Sequence, residues 1–373
     1  MRTRLICCSL ALLICLTGCA DLSYYWQSVS GHIALLQAAR PVDDWLADAQ
    51  TPDKLKAKLA LTQKIRTFAV SELKLPDNPS YHRYADLRRK AVVWNVVAAP
   101  KLSLTLKTWC FPVAGCVGYR GYFSESEAKL EAESLKQQNF DVSVYGVPAY
   151  STLGWSNWAG GDPLLSTFIS YPEGELARIV FHELAHQVVY IPGDTAFNES
   201  FATAVERLGG ARWLAEYGSD AVRAEYAVFD GRRRQFRALA QGTRHRLTAI
   251  YMQNETLAGD KHALTAMKSI AIEEFMAQYQ QLKTSWGGYA GYDAWVKQAN
   301  NAAFGALAVY DDGVPQFEAL FAQQGEDWAK FYAAVQDLAA LPKEERLAAL
   351  KATVNATLKA TPNTSENQKQ KSG

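Results

Sequence analysis

The five residues His182-Glu183-Leu184-Ala185-His186 constrain this chain more than any other segment. Ile179, Val180, Leu184 and Val188 supply apolar positions at helical spacing around them, and Pro192-Gly193 ends the run. On a helix, residues four apart lie on one face, so His182 and His186 can both reach a single metal ion. Neutral imidazoles suit zinc (Zn2+) at about 2.0–2.1 Å. Glu183 follows the first histidine and projects near the open position, where it can accept a proton from water on the metal. The chain has only six histidines, and two of them stand here.

A catalytic zinc site needs a third protein ligand. The stretch Thr195-Ala196-Phe197-Asn198-Glu199-Ser200-Phe201-Ala202 starts on a good N-cap residue and reads as a helix running to Gly209-Gly210. Glu199, near its start, is the natural third ligand. Glu206 falls two turns later on nearly the same face and can anchor His182 or His186 through a free ring nitrogen. The H-E-x-x-H pattern also arises by chance in structural helices, but the second helix favours a metal site. Structural zinc sites favour cysteine and a closed shell, whereas this set leaves a fourth position for water. His245 and His262 stand alone in helical stretches and read as surface or satisfied residues.

These residues, His182 to Gln187 and Phe197 to Ala202 with Glu206, resemble the gluzincin metallopeptidases. The second segment is closest to the zinc aminopeptidases whose second helix reads roughly N-E-G-F-A-x-x-x-E. The resemblance implies His182, His186 and Glu199 as ligands, Glu183 as general base, and a zincin-like α+β domain. That domain would hold a small mixed sheet, an active-site helix and a largely helical C-terminal half. The wider chain resembles a family of bacterial lipoproteins designated predicted aminopeptidases. This likeness is carried by Tyr24-Tyr25, by the segment from Cys116 to Phe123 (CVGYRGYF), and by Asn300-Asn301-Ala302 with Tyr310. Two departures stand out. Only twelve residues separate His186 from Glu199, so the connection through Pro192-Gly193-Asp194 must be tight. The G-x-M-E-N segment that holds the substrate's amino group in the large aminopeptidases is absent, and Glu173 and Glu175 do not match its position. Metallopeptidase is thus better supported than aminopeptidase.

The amino terminus reads as an address. Arg2 and Arg4 precede an apolar run from Ile6 to Leu16, which at eleven residues is too short to span a bilayer as a helix (about 20 are needed) but suits a signal peptide. Leu16-Thr17-Gly18-Cys19 resembles the lipobox of bacterial lipoproteins. It implies cleavage after residue 18 and lipid on Cys19, and the absence of Asp directly after the cysteine implies the outer membrane. An ordinary secretory cleavage with Cys19 incidental is the alternative. The expected protein is therefore an envelope protein facing the periplasm, with a membrane as partner through Cys19. Cys110 and Cys116 then remain, a disulfide across a turn in an oxidising compartment, with free thiols or metal ligands as alternatives.

The charge balance is uninformative about the site but excludes a class. Of 39 basic residues, losing Arg2 and Arg4 leaves 37 against 38 acidic ones, and a nucleic-acid binder would be far more basic. Periodicity predicts a helix over 52–75, a buried strand over 91–98, a half-buried strand over 101–109 and a strand from Val142. Another strand is expected around Thr167-Phe168-Ile169. Ser124 with Glu127 forms a capping-box pattern opening a helix over 125–138. From about 211 the chain is helical, with breaks at Gly231, Gly242, Gly287-Gly288, Gly313-Val314-Pro315 and Leu341-Pro342. The cluster Arg232, Arg233, Arg234 and Arg237 reads as a solvated face, or alternatively as a contact for phosphate or anionic lipid. Residues 19–360 form the expected domain, and the polar tail 361–373 is expected to be disordered.

The resulting expectation is a zinc-dependent peptidase acting on a peptide or protein, with Tyr310, Tyr289 and Tyr292 competing as transition-state hydrogen-bond donors. The rival is a lipid-anchored envelope binding or scaffold protein that keeps a zinc site without hydrolysis.

Overall fold

The computed structural model describes residues 22–112, 114–252, 260–311 and 313–360, except the side chains of 308–311 and 354–360. Cys19 and the tail 361–373 lie outside the described residues. Helix α1 (22–38) leads through strand β1 (Arg40–Pro41) and α2 (Val42–Ala47) to α3 (Asp53–Ser71). Strands β2 (Arg83–Ala85) and β3 (Val93–Pro100) follow, then β4 (Trp109–Phe111), β5 (Gly115–Val117) and β6 (Arg120–Tyr122). Helix α4 (Glu125–Gln137) starts where Ser124 caps the Glu127 amide at 3.4 Å, as the sequence pattern predicts, and β7 (Phe140–Val147) and β8 (Leu164–Leu165) complete the strands. The rest is helical: α5 (Glu173–Ala185), α6 (Thr195–Tyr217), α7 (Asp220–Met252), α8 (Lys261–Ser285), α9 (Asp293–Lys297), α10 (Asn301–Asp311), α11 (Val314–Gln323), α12 (Trp328–Ala340) and α13 (Lys343–Ala360).

The architecture is α+β with small sheets. Strands β6-β3-β7 form an antiparallel sheet, β1-β2-β8 a mixed one, and β4-β5 a hairpin closed by a disulfide between Cys110 and Cys116. Strand β3 is buried on both faces, which explains its unbroken β-branched run. The largest core gathers α3, α5, α6, α11 and α12 around Phe68, Phe181, Phe201, Phe317 and Phe331. A second core, built on Phe236, Phe275, Tyr279 and Phe304, belongs to α7, α8 and α10.

Two expected strands and two expected helix breaks are corrected. Residues 103–108 alternate as a strand would but pair with no neighbour: Leu102 and Leu104 pack into the second core, and Lys107 donates a single amide bond to the Ala98 carbonyl at 2.8 Å. Around 167–169 the chain turns instead, with the Ile169 amide bonding back to the Leu165 carbonyl at 3.0 Å. Helix α7 runs through Gly231 and Gly242 without a break, since neither position is crowded and one helix tolerates isolated glycines.

Helices α5 and α6, which carry the candidate ligands, pack closely. Almost every side of α5 is buried, Glu175 and Arg178 included, so it is a central helix and not a surface one. Gly209-Gly210 does not end α6, which continues to Tyr217. A Cβ at Gly209 would lie 2.6 Å from Leu73 and one at Gly210 would lie 2.8 Å from the Arg178 side chain. The pair is a close-approach surface between helices, not a stop signal.

Candidate metal centre

Helix α5 ends at Ala185, so His186 sits at its C-cap with its amide still bonded to the His182 carbonyl at 3.3 Å. The histidines are thus one helical turn apart, as the motif predicts. The connection to α6 is pinned at both ends. Asn198 grips Ile191 twice, accepting from its amide and donating to its carbonyl at 2.8 Å each. Asp194, rather than Thr195, is the N-cap, accepting from the Phe197 amide at 3.3 Å. Gly193, at φ 79°, donates to the Ala114 carbonyl at 3.0 Å, and a Cβ at Gly115 would collide with the Gly193 backbone. The Cys110–Cys116 hairpin therefore rests on the short connection that brings Glu199 back to the histidines.

The predicted ligands converge. The Nε2 atoms of His182 and His186 lie 3.2 Å apart, and the Glu199 carboxylate lies 3.3 Å from the first and 3.9 Å from the second. One ligand atom from each residue falls within 4.8 Å of the others. Bonds of about 2.0–2.1 Å in a tetrahedron place ligand atoms about 3.4 Å apart, so this spacing fits a zinc ion. Two largely buried carboxylates, Glu199 and Glu206, flank His182 at this point. Burial works against charge on His182, yet Glu199 and Glu206 outweigh it and hold its pKa well above the ordinary imidazole value. Burial lowers His186 to about 4, keeping that ring neutral. The negative potential that draws a proton to His182 is the potential a divalent cation would meet.

Glu206 takes the place the sequence suggests, its carboxylate 3.1 Å from Nδ1 of His182. Behind it lies a chain of charge that the sequence does not announce. Arg178, 4% exposed, pairs with Glu206 and Glu175; Arg233 pairs with Glu175 at 2.7 Å and with Asp230. The arginine cluster is therefore only partly a solvated face, because Arg233 is turned toward α5, and Arg232 lies over the Tyr289 ring at 4.5 Å. His186 Nδ1, by contrast, is buried with no partner among the described residues.

Glu183 makes no hydrogen bond or ion pair among the described residues, and burial pushes its carboxyl up to about 8. Beside the histidines lies a cavity of about 270 Å3 lined by Leu153, Trp155, His186, Gln187, Tyr190 and Pro192, among others. Gln187 holds the cavity wall to a distant loop: it accepts from Asn78 at 2.8 Å and donates to Ser80 at 3.2 Å, and Arg66 donates to the carbonyls of Pro76, Asn78 and Ser80. The wall's other loop is fixed by buried Asp162, which accepts from Thr152 and Ser156.

Of the three tyrosines that compete as hydrogen-bond donors, two pack elsewhere. Tyr292 stacks on Phe236 with ring centroids 4.1 Å apart, and Tyr289 packs beside it in the second core, because both complete an aromatic cluster of the helical half. The Tyr310 side chain lies outside those described. The phenols that feel the site are others. Burial raises Tyr81, Tyr119, Tyr145 and Tyr190, with Glu183 adding to the shift at Tyr81 and Glu199 at the remaining three. The Tyr81 hydroxyl is buried with no partner among the described residues, and its backbone is held at φ 69°. A non-glycine residue in the left-handed region is the one trace of it that a backbone-based search would flag.

A family model described as "Putative aminopeptidase" matches residues 23–350. The chain belongs to this family. The match spans α5 and α6, the disulfide hairpin and the helical half into α13. No curated protein and no solved structure matches the chain significantly.

Proposed function

We propose that the protein is a zinc-dependent peptidase, with His182, His186 and Glu199 as ligands and Glu183 as general base. The observation that carries this reading is the convergence of two Nε2 atoms and one carboxylate at tetrahedral spacing, beside a carboxyl with no partner among the described residues. A zinc ion held there would supply Lewis acidity, polarising a carbonyl and making water a better nucleophile. The chain's own residues do the rest. Glu183, next to His182 on α5, takes the proton of the attacking water in its ionised form and passes it to the leaving amine. Glu206 orients His182 through Nδ1, and Arg178 holds Glu206. The cavity beside His186, with Trp155, Leu153 and Val189 on its walls, suits an apolar side chain next to the scissile bond. Release of amino-terminal residues is the reading that the family description favours. Acylation of Cys19 and attachment to the envelope complete the proposal.

A digest of a peptide library tests it. The parent is expected to trim free amino termini in a chelator-sensitive manner, and Glu183→Gln to keep the metal while losing about 10²–10⁴-fold in kcat. Internal cleavage would convert the reading to an endopeptidase. No cleavage by the metal-loaded parent would leave a binding protein that retains the ligand set.

A further inference from the structure

Helix α1 presents an apolar face that no described part of the molecule covers. Residues 22–38 include no Asp, Glu, Lys or Arg. One side of the helix is used: Tyr24 stacks on Phe111, Gln27 bonds to the Phe123 amide at 3.0 Å, Gly31 lies against the Phe123 ring, and Leu35 is buried. The opposite side carries Leu22, Trp26, Val29 and Ile33, exposed by 71%, 74%, 54% and 47%, with Tyr25 beside them. Their spacing follows a single helical stripe. Exposed stripes of this kind mark interaction surfaces.

We propose that this stripe lies in the interfacial plane of a lipid bilayer, docking the catalytic domain flat on the membrane. Three things favour a bilayer as the occupant. The stripe begins three residues after Cys19, and three extended residues span at most about 10 Å, so an acylated Cys19 would hold Leu22 at the headgroup level. Choosing the bilayer rests on that anchor reading, whereas the test below does not use the acyl chain. The face combines Trp and Tyr with aliphatic residues and bears no charge, the chemistry that settles at a membrane interface. The apolar residues occupy one side of α1 while the other packs on the protein, an arrangement that suits lying along a bilayer rather than crossing it. The docked helix is coupled to the site. Arg83 bonds at once to the Leu36 and Ala159 carbonyls, each at 3.2 Å, and His32 Nδ1 meets the Tyr150 hydroxyl at 2.5 Å. These bonds fasten the helix to the loop that carries Trp155 at the cavity and Trp158, 89% exposed.

The experiment uses a chain starting at residue 20, which keeps the whole family match and every described core residue. The parent is expected to float with phosphatidylcholine vesicles in low and high salt alike. The W26S/V29S/I33S variant is expected to partition at least roughly tenfold less with an unchanged circular dichroism spectrum and unchanged peptide hydrolysis in solution. The proposal fails if the parent stays unbound, or if the variant floats as well as the parent. It also fails if sedimentation shows a parent dimer that the substitutions split, which would assign the stripe to a second copy. Hydrolysis without vesicle binding overturns the docking alone, and vesicle binding without hydrolysis overturns the peptidase reading alone.

Discussion

Glu206 makes the case for the outer layer of the site most directly. Burial opposes its ionisation, but Arg178 and then His182 outweigh burial and hold its carboxyl down to about 2. A carboxyl depressed below its ordinary value of 4.5 contributes stability above that value and loses it as the pH falls through about 2. Replacing Glu206 by Gln should therefore flatten the acid limb of a urea-midpoint titration below about pH 4.5. The same variant should weaken zinc binding by roughly 10–100-fold in a chelator competition, because Nδ1 of His182 loses its orienting acceptor. An unchanged affinity would reduce Glu206 to a structural partner of Arg178. Tyr81 poses the opposite problem, a buried hydroxyl with no partner among the described residues. Leaving such a group unsatisfied costs about 1–3 kcal/mol, and a substrate atom or an ordered water would offset it. Tyr81→Phe is expected to melt no lower than the parent while kcat falls by about 10–100-fold. A variant at the parent's rate would make the phenol mere filling.

The glycines of α6 and α7 look alike in sequence and behave in opposite ways. At Gly209 an added methyl meets Leu73 at 2.6 Å and Phe181 at 3.1 Å, inside the packed α5–α6 contact. Gly209→Ala is expected to cost about 1–3 kcal/mol by overpacking, read as a lower denaturant midpoint. At Gly231 and Gly242 nothing lies within 4 Å of the added carbon. Alanine there should stabilise by about 0.4–1 kcal/mol per site, through the unfolded chain's lost freedom. If the three substitutions moved stability in the same direction, the assignment of Gly209 to the helix contact would be wrong. Glycine is a helix signal only with its neighbours known. Both readings of it, stop and close approach, are compatible with the same letters.

Long-range pairs join the C-terminal end of the molecule to the ligand loop. Arg346 on α13 bonds to Asp194 at 2.7 Å, the two side chains being 5% and 6% exposed, and its guanidinium lies 5.3 Å from the Phe197 ring centroid. Removing Arg346 leaves the buried Asp194 carboxylate without its counter-ion, five residues before Glu199. Arg346→Ala should lower unfolding free energy by about 3–5 kcal/mol and should lower metal affinity with it, as seen by calorimetry. A loss of stability with affinity intact would show that the loop keeps its shape without α13.

Short-range order was largely legible from the residue pattern. His182, Glu183 and His186 announce themselves because helical periodicity is local, and Glu199 and Glu206 follow because their helix opens only a short loop later. The helices at 53–71 and 125–137 and the buried strand at 93–100 were legible for the same reason. The alternating leucines at 102, 104 and 106 misled because alternation records burial, and a core can take every second side chain without a neighbouring strand. What remained hidden has one cause. Tyr81, the Asn78–Gln187–Ser80 bonds and the Arg178–Glu206 pair join residues far apart along the chain, Gln187 and Ser80 being 107 positions apart. No local propensity encodes such a meeting. Packing of α5 against α6 decides the Arg178–Glu206 pair, and the seating of the loop at 76–82 beside the end of α5 decides the others, because hydrogen bonds and ion pairs are chosen only once two surfaces have met.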